Sequence, residues 1–98
     1  MQFIVTARDG AGMLERRMEV RPRHLANMEQ VPGTVVCAGG LLDEAGQMCG
    51  SVLVLDLPGR AELDAYLASE PYIAEGVWES VQVDQMNVVI VGGEKVGT

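Results

Sequence analysis

Turn signals divide the 98-residue sequence into segments with alternating strand and helix patterns. Gln2 to Arg8 is rich in β-branched and aromatic residues and ends at the turn dipeptide Asp9-Gly10, which predicts a first strand. Proline suits the first turn of a helix and disfavours its interior. The next residues therefore predict two pieces, a short turn or helix from about Gly12 to Met18 and a proper helix from about Pro22 to Gln30.

The rest of the chain predicts three more strands and a second helix. Thr34 to Leu42 and Met48 to Leu57 predict a β-hairpin, because the polar connection between them is short. Arg60 to Ser69 carries apolar residues at helical spacing and predicts a short amphipathic helix. Val77 to Val91 predicts a long final strand, and residues 92–98 are expected to form a flexible tail.

The resulting order is strand, helix, strand, strand, helix, strand. This is the βαββαβ plan of an α+β domain, in which a four-stranded antiparallel sheet carries both helices on one face. Two helices cover only one side of such a sheet, so the apolar residues on the other side need a second cover. A second copy of the chain is the simplest candidate, which predicts a homodimer through the sheet face.

Charge and cysteine usage limit the partners and the compartment. Fourteen acidic residues against seven basic ones give a net charge of −7, which argues against nucleic-acid and anionic-membrane partners. Neither a signal peptide nor a membrane span is predicted, so a cytoplasmic protein with reduced thiols is expected. One histidine cannot complete a familiar zinc site with Cys37 and Cys49, and both thiols are expected to be small buried hydrophobes.

His24 is the only histidine and the only side chain suited to proton transfer near neutral pH without a large pKa shift. Glu70 precedes Pro71 at the end of the second helix, on a constrained piece of backbone. A carboxylate that accepts a hydrogen bond from an imidazole fixes its tautomer, as in acid–base dyads. Two alternatives without a catalytic role remain open. His24 could be a helix-edge histidine that is hydrogen-bonded to a neighbour, and Glu70 could be a solvated glutamate at a helix end.

Three other features are candidates for contact with a small molecule: a serine, a pair of arginines and a pair of glycines. Ser51 lacks the context of a nucleophile elbow and is interpreted as a polar contact. Arg17 and Arg21 are four residues apart and could bind a carboxylate or phenolate, although arginines that only solvate a helix are common. Gly39-Gly40 within a strand indicates a bulge or a close approach of another group, such as a ligand.

Several motifs are distributed over nearly the whole chain: Leu14-Glu15-Arg16-Arg17, Val20-Arg21-Pro22-Arg23-His24-Leu25, Ala38-Gly39-Gly40-Leu41 with Asp43 and Gly46, Gly50-Ser51, Glu70-Pro71-Tyr72 and Gly76-Val77. Together they resemble the YCII-related (YciI-like) family. The resemblance implies a ferredoxin-like fold in a dimeric α+β barrel, with residues 1–91 as a single domain. It also implies an active site with His24 as acid/base, Glu70 as its carboxylate partner and Ser51 nearby.

The chain departs from the family pattern at two places. Glu70 stands where the family usually has Asp before Pro-Tyr, and Leu41 follows Gly39-Gly40 where a family proline is common. One family relative is a dehydrochlorinase of a chlorinated hydroxyquinol, a reaction that needs acid–base chemistry and no cofactor.

The leading hypothesis is a small cofactor-independent enzyme of lyase or isomerase type without a metal. His24 would move a proton on a small cyclic or aromatic substrate, and Glu70 would orient the imidazole. Arg21, Tyr72, Ser51 and Gly40 would shape the pocket. The competing hypothesis is a non-catalytic dimer that binds a small molecule or serves a pathway as an accessory protein.

Overall fold

The computed structural model describes residues 1–98 as a four-stranded sheet, three helices and a small C-terminal hairpin. The elements are β1 (Gln2–Asp9), α1 (Leu14–Met28), β2 (Thr34–Leu42), β3 (Met48–Asp56), α2 (Arg60–Ala68), α3 (Pro71–Ala74), β4 (Trp78–Met86), β5 (Ile90–Val91) and β6 (Glu94–Lys95). The predicted βαββαβ order is confirmed, and α3 is an additional turn of helix between α2 and β4.

The sheet has the order β2-β3-β1-β4 and all its strand pairs are antiparallel. Val5 lies opposite Leu53 on one side and opposite Val83 on the other. Because β1 and β3 are the two central strands, each helical connection crosses over a strand of the sheet and packs on the same face. That face holds the core, whose buried residues are Phe3, Val5, Ala7, Val20, Leu53, Leu55, Leu57, Leu63, Tyr66, Tyr72, Val77 and Trp78.

The predicted break before Pro22 is wrong, since α1 is one continuous helix of 15 residues with Pro22 inside it. Proline removes the hydrogen bond that its N–H would donate to the carbonyl of Met18. Pro22 and Met18 both lie on the exposed side of the helix, where water can satisfy that carbonyl. On the opposite side of the helix, Val20 and His24 are buried on either side of Pro22 in the chain. Their packing keeps the helix intact.

The buried stripe of α1 also differs from the one expected. Arg17, Val20 and His24 are the buried residues of the helix, whereas Leu25 is 41% exposed. The spacing of Leu25 and Met28 had placed His24 at the edge of the apolar face. Polar partners inside the protein, described below, allow Arg17 and His24 to occupy the buried stripe instead.

The final strand is shorter than predicted, because β4 ends at Met86. Met86 pairs with Gln2, the first residue of β1, so no partner strand is available beyond it. The segment expected to be a flexible tail contains β6, which pairs with β5. Gly92 and Gly93, at φ +59° and +82°, form the two-residue turn of this hairpin, a conformation that favours glycine at both positions.

The sheet face opposite the helices is incompletely covered. Ile4 and Val52 point to this face, which we call the open face, and both are half-buried. Ile90 and Val91 of the C-terminal hairpin lie beside Val54 at this side of the sheet, and Ile90 is 64% exposed. The cysteines are less buried than expected: Cys37 is exposed and Cys49 half-buried. No helix is long and apolar enough to cross a membrane.

Candidate active site

Glu70 is the N-cap of α3, and its local sequence explains its position. Pro71 keeps Glu70 extended, at φ −70° and ψ 116°, and occupies the first turn of the helix. Oε1 of Glu70 accepts a hydrogen bond from the backbone N–H of Tyr72 at 3.1 Å, as a helix N-cap does. The carboxylate is 0% exposed. Glu70 is therefore a buried helix cap, and the alternative of a solvated glutamate at a helix end is wrong.

Two further donors bind the same carboxylate. The hydroxyl of Tyr66, one helical turn earlier, donates to Oε2 at 2.9 Å. Nδ1 of His24 lies 2.7 Å from Oε1. Because an ionised carboxylate only accepts hydrogen bonds, we assign the proton of this contact to Nδ1. The neutral imidazole then keeps Nε2 free to accept a proton.

Tyr72 fixes the orientation of the imidazole from a second direction. Its ring stacks on His24 with centroids 4.1 Å apart and 20° between the planes. The guanidinium carbon of Arg17 lies 4.7 Å from the centroid of the same ring. Since Arg17 and His24 are two helical turns apart on α1, the Tyr72 ring inserts between them. Trp78 meets His24 edge-on, at 5.9 Å between centroids.

Arg17 itself is held by a buried network. It donates to both carboxylate oxygens of Asp9, at 2.8 and 3.0 Å, and to the hydroxyl of Ser51 at 2.6 Å. The side chains of Arg17 and Asp9 are 3% and 4% exposed. Bidentate pairs of this kind fix geometry as well as charge. Ser51 is thus a partner of Arg17, and it also lines the cavity described next.

A cavity of about 130 Å³ opens between α1 and the strands β2 and β3. All the residues predicted for substrate contact line this cavity: Arg21, Ser51, Tyr72 and Gly40. His24 also lines it, and Glu70 lies behind the imidazole, away from the cavity. The remaining lining residues are Arg17, Leu25, Met28, Ala38, Gly39, Met48 and Leu53.

Asp9 and the structural role of Arg17 were missed by sequence reasoning. Arg17 lies seven residues before His24, which puts both on one side of a continuous helix. The predicted break at Pro22 concealed that relation. Asp9 was interpreted only as part of a turn, and no sequence signal links it to Arg17.

Two tyrosines of the site are held in the protonated state. Burial raises the pKa of Tyr66, and the neighbouring Glu70 carboxylate adds to the effect. Burial also raises the pKa of Tyr72, although the guanidinium groups of Arg17 and Arg21 partly oppose this. Both phenols are therefore hydrogen-bond donors at neutral pH. The structure contains no group of three or more His, Cys, Asp and Glu side chains that could hold a metal ion.

Comparisons with known proteins agree on the family and the fold. The Escherichia coli protein YciI is 32% identical over 91 residues, which cover 85% of this chain and 93% of that protein. A solved structure of the 5-chloro-2-hydroxyhydroquinone dehydrochlorinase of Burkholderia phenoliruptrix, in complex with 2,5-dihydroxybenzoquinone, has a TM-score of 0.80 at 22% identity. The match covers 89% of this chain and 94% of that one.

A less similar solved structure also has this fold. An antibiotic biosynthesis monooxygenase superposes with a TM-score of 0.60 at 16% identity, over 91% of this chain and 98% of that one. The predicted ferredoxin-like α+β fold is thereby confirmed. The sequence model of the YCII-related domain matches residues 1–87, and the chain belongs to the YCII-related domain family.

Proposed function

We propose that this protein is a small cofactor-independent enzyme in which His24 transfers a proton on a small cyclic or aromatic substrate. The observation that carries the proposal is the contact of 2.7 Å between His24 Nδ1 and Glu70 Oε1. It couples a cavity-lining imidazole to a fully buried carboxylate. The fold likeness to a dehydrochlorinase bound to 2,5-dihydroxybenzoquinone supports the substrate class.

Each residue of the site has a distinct proposed role. Nε2 of His24 accepts a proton from the substrate. In an isomerase it returns that proton at another atom, and in a lyase the proton is removed as the leaving group departs with its bonding electrons. Glu70 accepts the hydrogen bond from Nδ1–H and stabilises the imidazolium that forms. Tyr72 and Glu70 keep the ring in one orientation. Arg21, Tyr72, Ser51 and Gly40 bind and position the substrate.

We also propose that the protein is a homodimer through the open face. Ile4 and Val52 lie on that face, and Val89, Ile90, Val91 and Val96, in or next to the C-terminal hairpin, are exposed. Exposed apolar surface of this kind indicates an interaction site. The face is on the other side of the sheet from the cavity, so dimerisation leaves the cavity accessible.

Hydrogen exchange on 2,5-dihydroxybenzoquinone, the ligand of the dehydrochlorinase, tests the proton transfer. In deuterated water a ring carbon gains a deuteron from the imidazolium and then loses its original proton to the imidazole. We expect the protein to accelerate this exchange, and His24→Gln to slow it by about 100-fold or more. Arg23→Gln, on the exposed side of the same helix, is the control and should leave the rate unchanged.

Two results would contradict the proposal. If the wild-type protein and His24→Gln exchange the ring hydrogens equally fast, the imidazole is not the base. If the compound binds in the cavity and no exchange occurs, the alternative of a non-catalytic binding protein is favoured. Proton NMR of the ligand measures binding and exchange in the same sample.

A further inference from the structure

We infer that the cavity takes a small planar organic oxyanion, with Arg21 as its cationic partner and the hydroxyl of Tyr72 as a hydrogen-bond donor. This inference rests on the site of the proposed function and names the chemical class of its substrate. It depends on three properties of the cavity: its charge, an unpartnered donor and its size.

The charge of the lining is positive although the chain as a whole is acidic. Three basic residues line the cavity, Arg17, Arg21 and His24, and no Asp or Glu does. Asp9 neutralises Arg17, and Glu70 lies against His24. Arg21 forms no ion pair or side-chain hydrogen bond within the chain. An anion that enters the cavity would therefore meet a cation that has no other partner.

The unpartnered donor is the hydroxyl of Tyr72. Tyr72 is 0% exposed, and its hydroxyl has no hydrogen-bond partner. A buried hydroxyl without a partner costs free energy, so such groups usually serve a ligand or a water molecule. Burial raises the pKa of Tyr72, and the guanidinium groups of Arg17 and Arg21 oppose this only in part. The phenol remains a donor, and Tyr72 and Arg21 both line the cavity.

The size and the walls of the cavity limit the rest of the ligand. The volume is about 130 Å³, whereas a cavity of about 150 Å³ in another protein holds one benzene molecule. The cavity is therefore large enough for about one six-membered ring. Leu25, Met28 and Leu53 give it an apolar wall, which suits a ring with its charged group towards Arg21.

Two pairs of probes test the inference on the intact protein. Benzoate represents carboxylates, and benzamide is its neutral counterpart. 4-Nitrophenolate, used at mildly alkaline pH, and neutral 4-nitroaniline represent phenolates and enolates. Binding is measured by isothermal titration calorimetry and by the NMR signals of His24, the only histidine. The protein is studied as wild type and as Arg21→Gln, Tyr72→Phe and the control Arg23→Gln, whose arginine pairs with Glu75 outside the cavity.

We expect saturable binding of at least one anion and much weaker binding of its neutral counterpart. Arg21→Gln should weaken that binding about tenfold or more, Tyr72→Phe should weaken it less, and Arg23→Gln should match the wild type. The tighter of the two anions identifies the oxyanion. The inference is overturned if neither anion binds, if the neutral compounds bind equally well, or if Arg21→Gln binds like the wild type.

The same measurements separate this inference from the proposed function. His24→Gln removes the base and leaves Arg21 and Tyr72 in place. If His24→Gln still binds benzoate in an Arg21-dependent manner, and the wild type exchanges no ring hydrogens, the anion site stands and the catalytic proposal fails. If exchange depends on His24 while Arg21→Gln changes no affinity, the catalytic proposal stands and the inferred anion site fails.

Discussion

Nδ1 of His24 lies 2.7 Å from Oε1 of Glu70, although 46 positions separate the two residues in the chain. The contact joins the middle of α1 to the first residue before α3, and both side chains are buried. A carboxylate in this position decides which imidazole nitrogen carries the proton. The dyad proposed for catalysis is thus also a link between two helices.

The tautomer of His24 is the first testable property. We expect the imidazole nitrogen shifts of the neutral side chain to show a protonated Nδ1 and an unprotonated Nε2, because Glu70 accepts from Nδ1. Glu70→Gln keeps the shape and removes the charge, so we expect it to shift the equilibrium towards the other tautomer. Nitrogen-15 NMR of selectively labelled histidine measures both forms.

A matched control for this experiment is Glu75→Gln. Glu75 is five residues further on and pairs with Arg16 and Arg23 at the surface, so its neutralisation should leave the His24 signals unchanged. A mixture of tautomers in the wild type, or identical spectra for Glu70→Gln, would contradict the assigned dyad.

The Arg17–Asp9 pair is expected to contribute strongly to stability. Arg17→Met leaves the buried carboxylate of Asp9 without its partner, which should cost about 3–5 kcal/mol of unfolding free energy. Adding Asp9→Leu removes the unpaired charge and should restore much of the loss. Urea denaturation of the single and double variants measures the difference.

Arg16→Met is the control for the loss of an arginine from the same helix. Arg16 pairs with Glu19 and Glu75 in contact with solvent, and pairs of this kind stabilise proteins little. A double variant that is less stable than Arg17→Met would show that Asp9 is not the source of the cost.

Tyr66 predicts how stability responds to alkaline pH. Its pKa is raised in the folded protein above the ordinary value of 10.0, so above that pH the unfolded chain releases a proton that the folded chain retains. The contribution of Tyr66 to stability should therefore be constant below about pH 10 and fall as the pH rises further. Unfolding free energies measured over a pH series should show this decline.

Tyr66→Phe separates the titration from the hydrogen bond. The variant should be about 1–3 kcal/mol less stable at neutral pH, because Glu70 loses a buried donor. Above pH 10 its stability should decline less steeply than that of the wild type. Parallel declines in the two proteins would show that Tyr66 does not cause the pH dependence.

The order of the elements could be predicted because local signals define it. The turn at Asp9-Gly10 and the alternation in β1 depend on a few adjacent residues, and the structure has the strand at Gln2–Asp9. The end of β4 could not be predicted locally, since it depends on where β1 begins. Pro22 gives a local signal for a helix start, and the packing of the opposite side of α1 overrides it.

The candidate site was predictable in composition and not in geometry. His24 stood out as the single histidine, and Glu70 as an acid before Pro-Tyr. Asp9 and Arg17 gave no such signal, because a buried ion pair is recognisable only when both partners are placed in space. The hydrogen bond from Tyr66 to Glu70 spans one turn and the register of α2 determines it, yet Tyr66 is also an ordinary apolar-face residue.

The proposed dimer predicts a response to one charge on the open face. Val52 lies opposite Thr6 on β1 and Gly39 on β2, near the middle of that face. Val52→Glu should convert the dimer to a monomer, because a carboxylate would be buried without a partner in the interface. Val81→Glu is the control, since Val81 lies on the other face and is already exposed. Sedimentation velocity should find a wild-type dimer, and a wild-type monomer would contradict the proposal.

Gly40 predicts how sensitive the cavity is to one added methyl group. A Cβ at Gly40 would lie 2.9 Å from Sδ and 3.0 Å from Cγ of Met48, and both residues line the cavity. Met48 is flexible and can move away, so Gly40→Ala should fold normally and bind the anionic probe more weakly. Gly10→Ala adds the same methyl group outside the cavity, at an ordinary contact distance of 3.5 Å from Cγ of Met13, and should bind like the wild type. Equal affinities for the two variants would show that Gly40 does not shape the binding site.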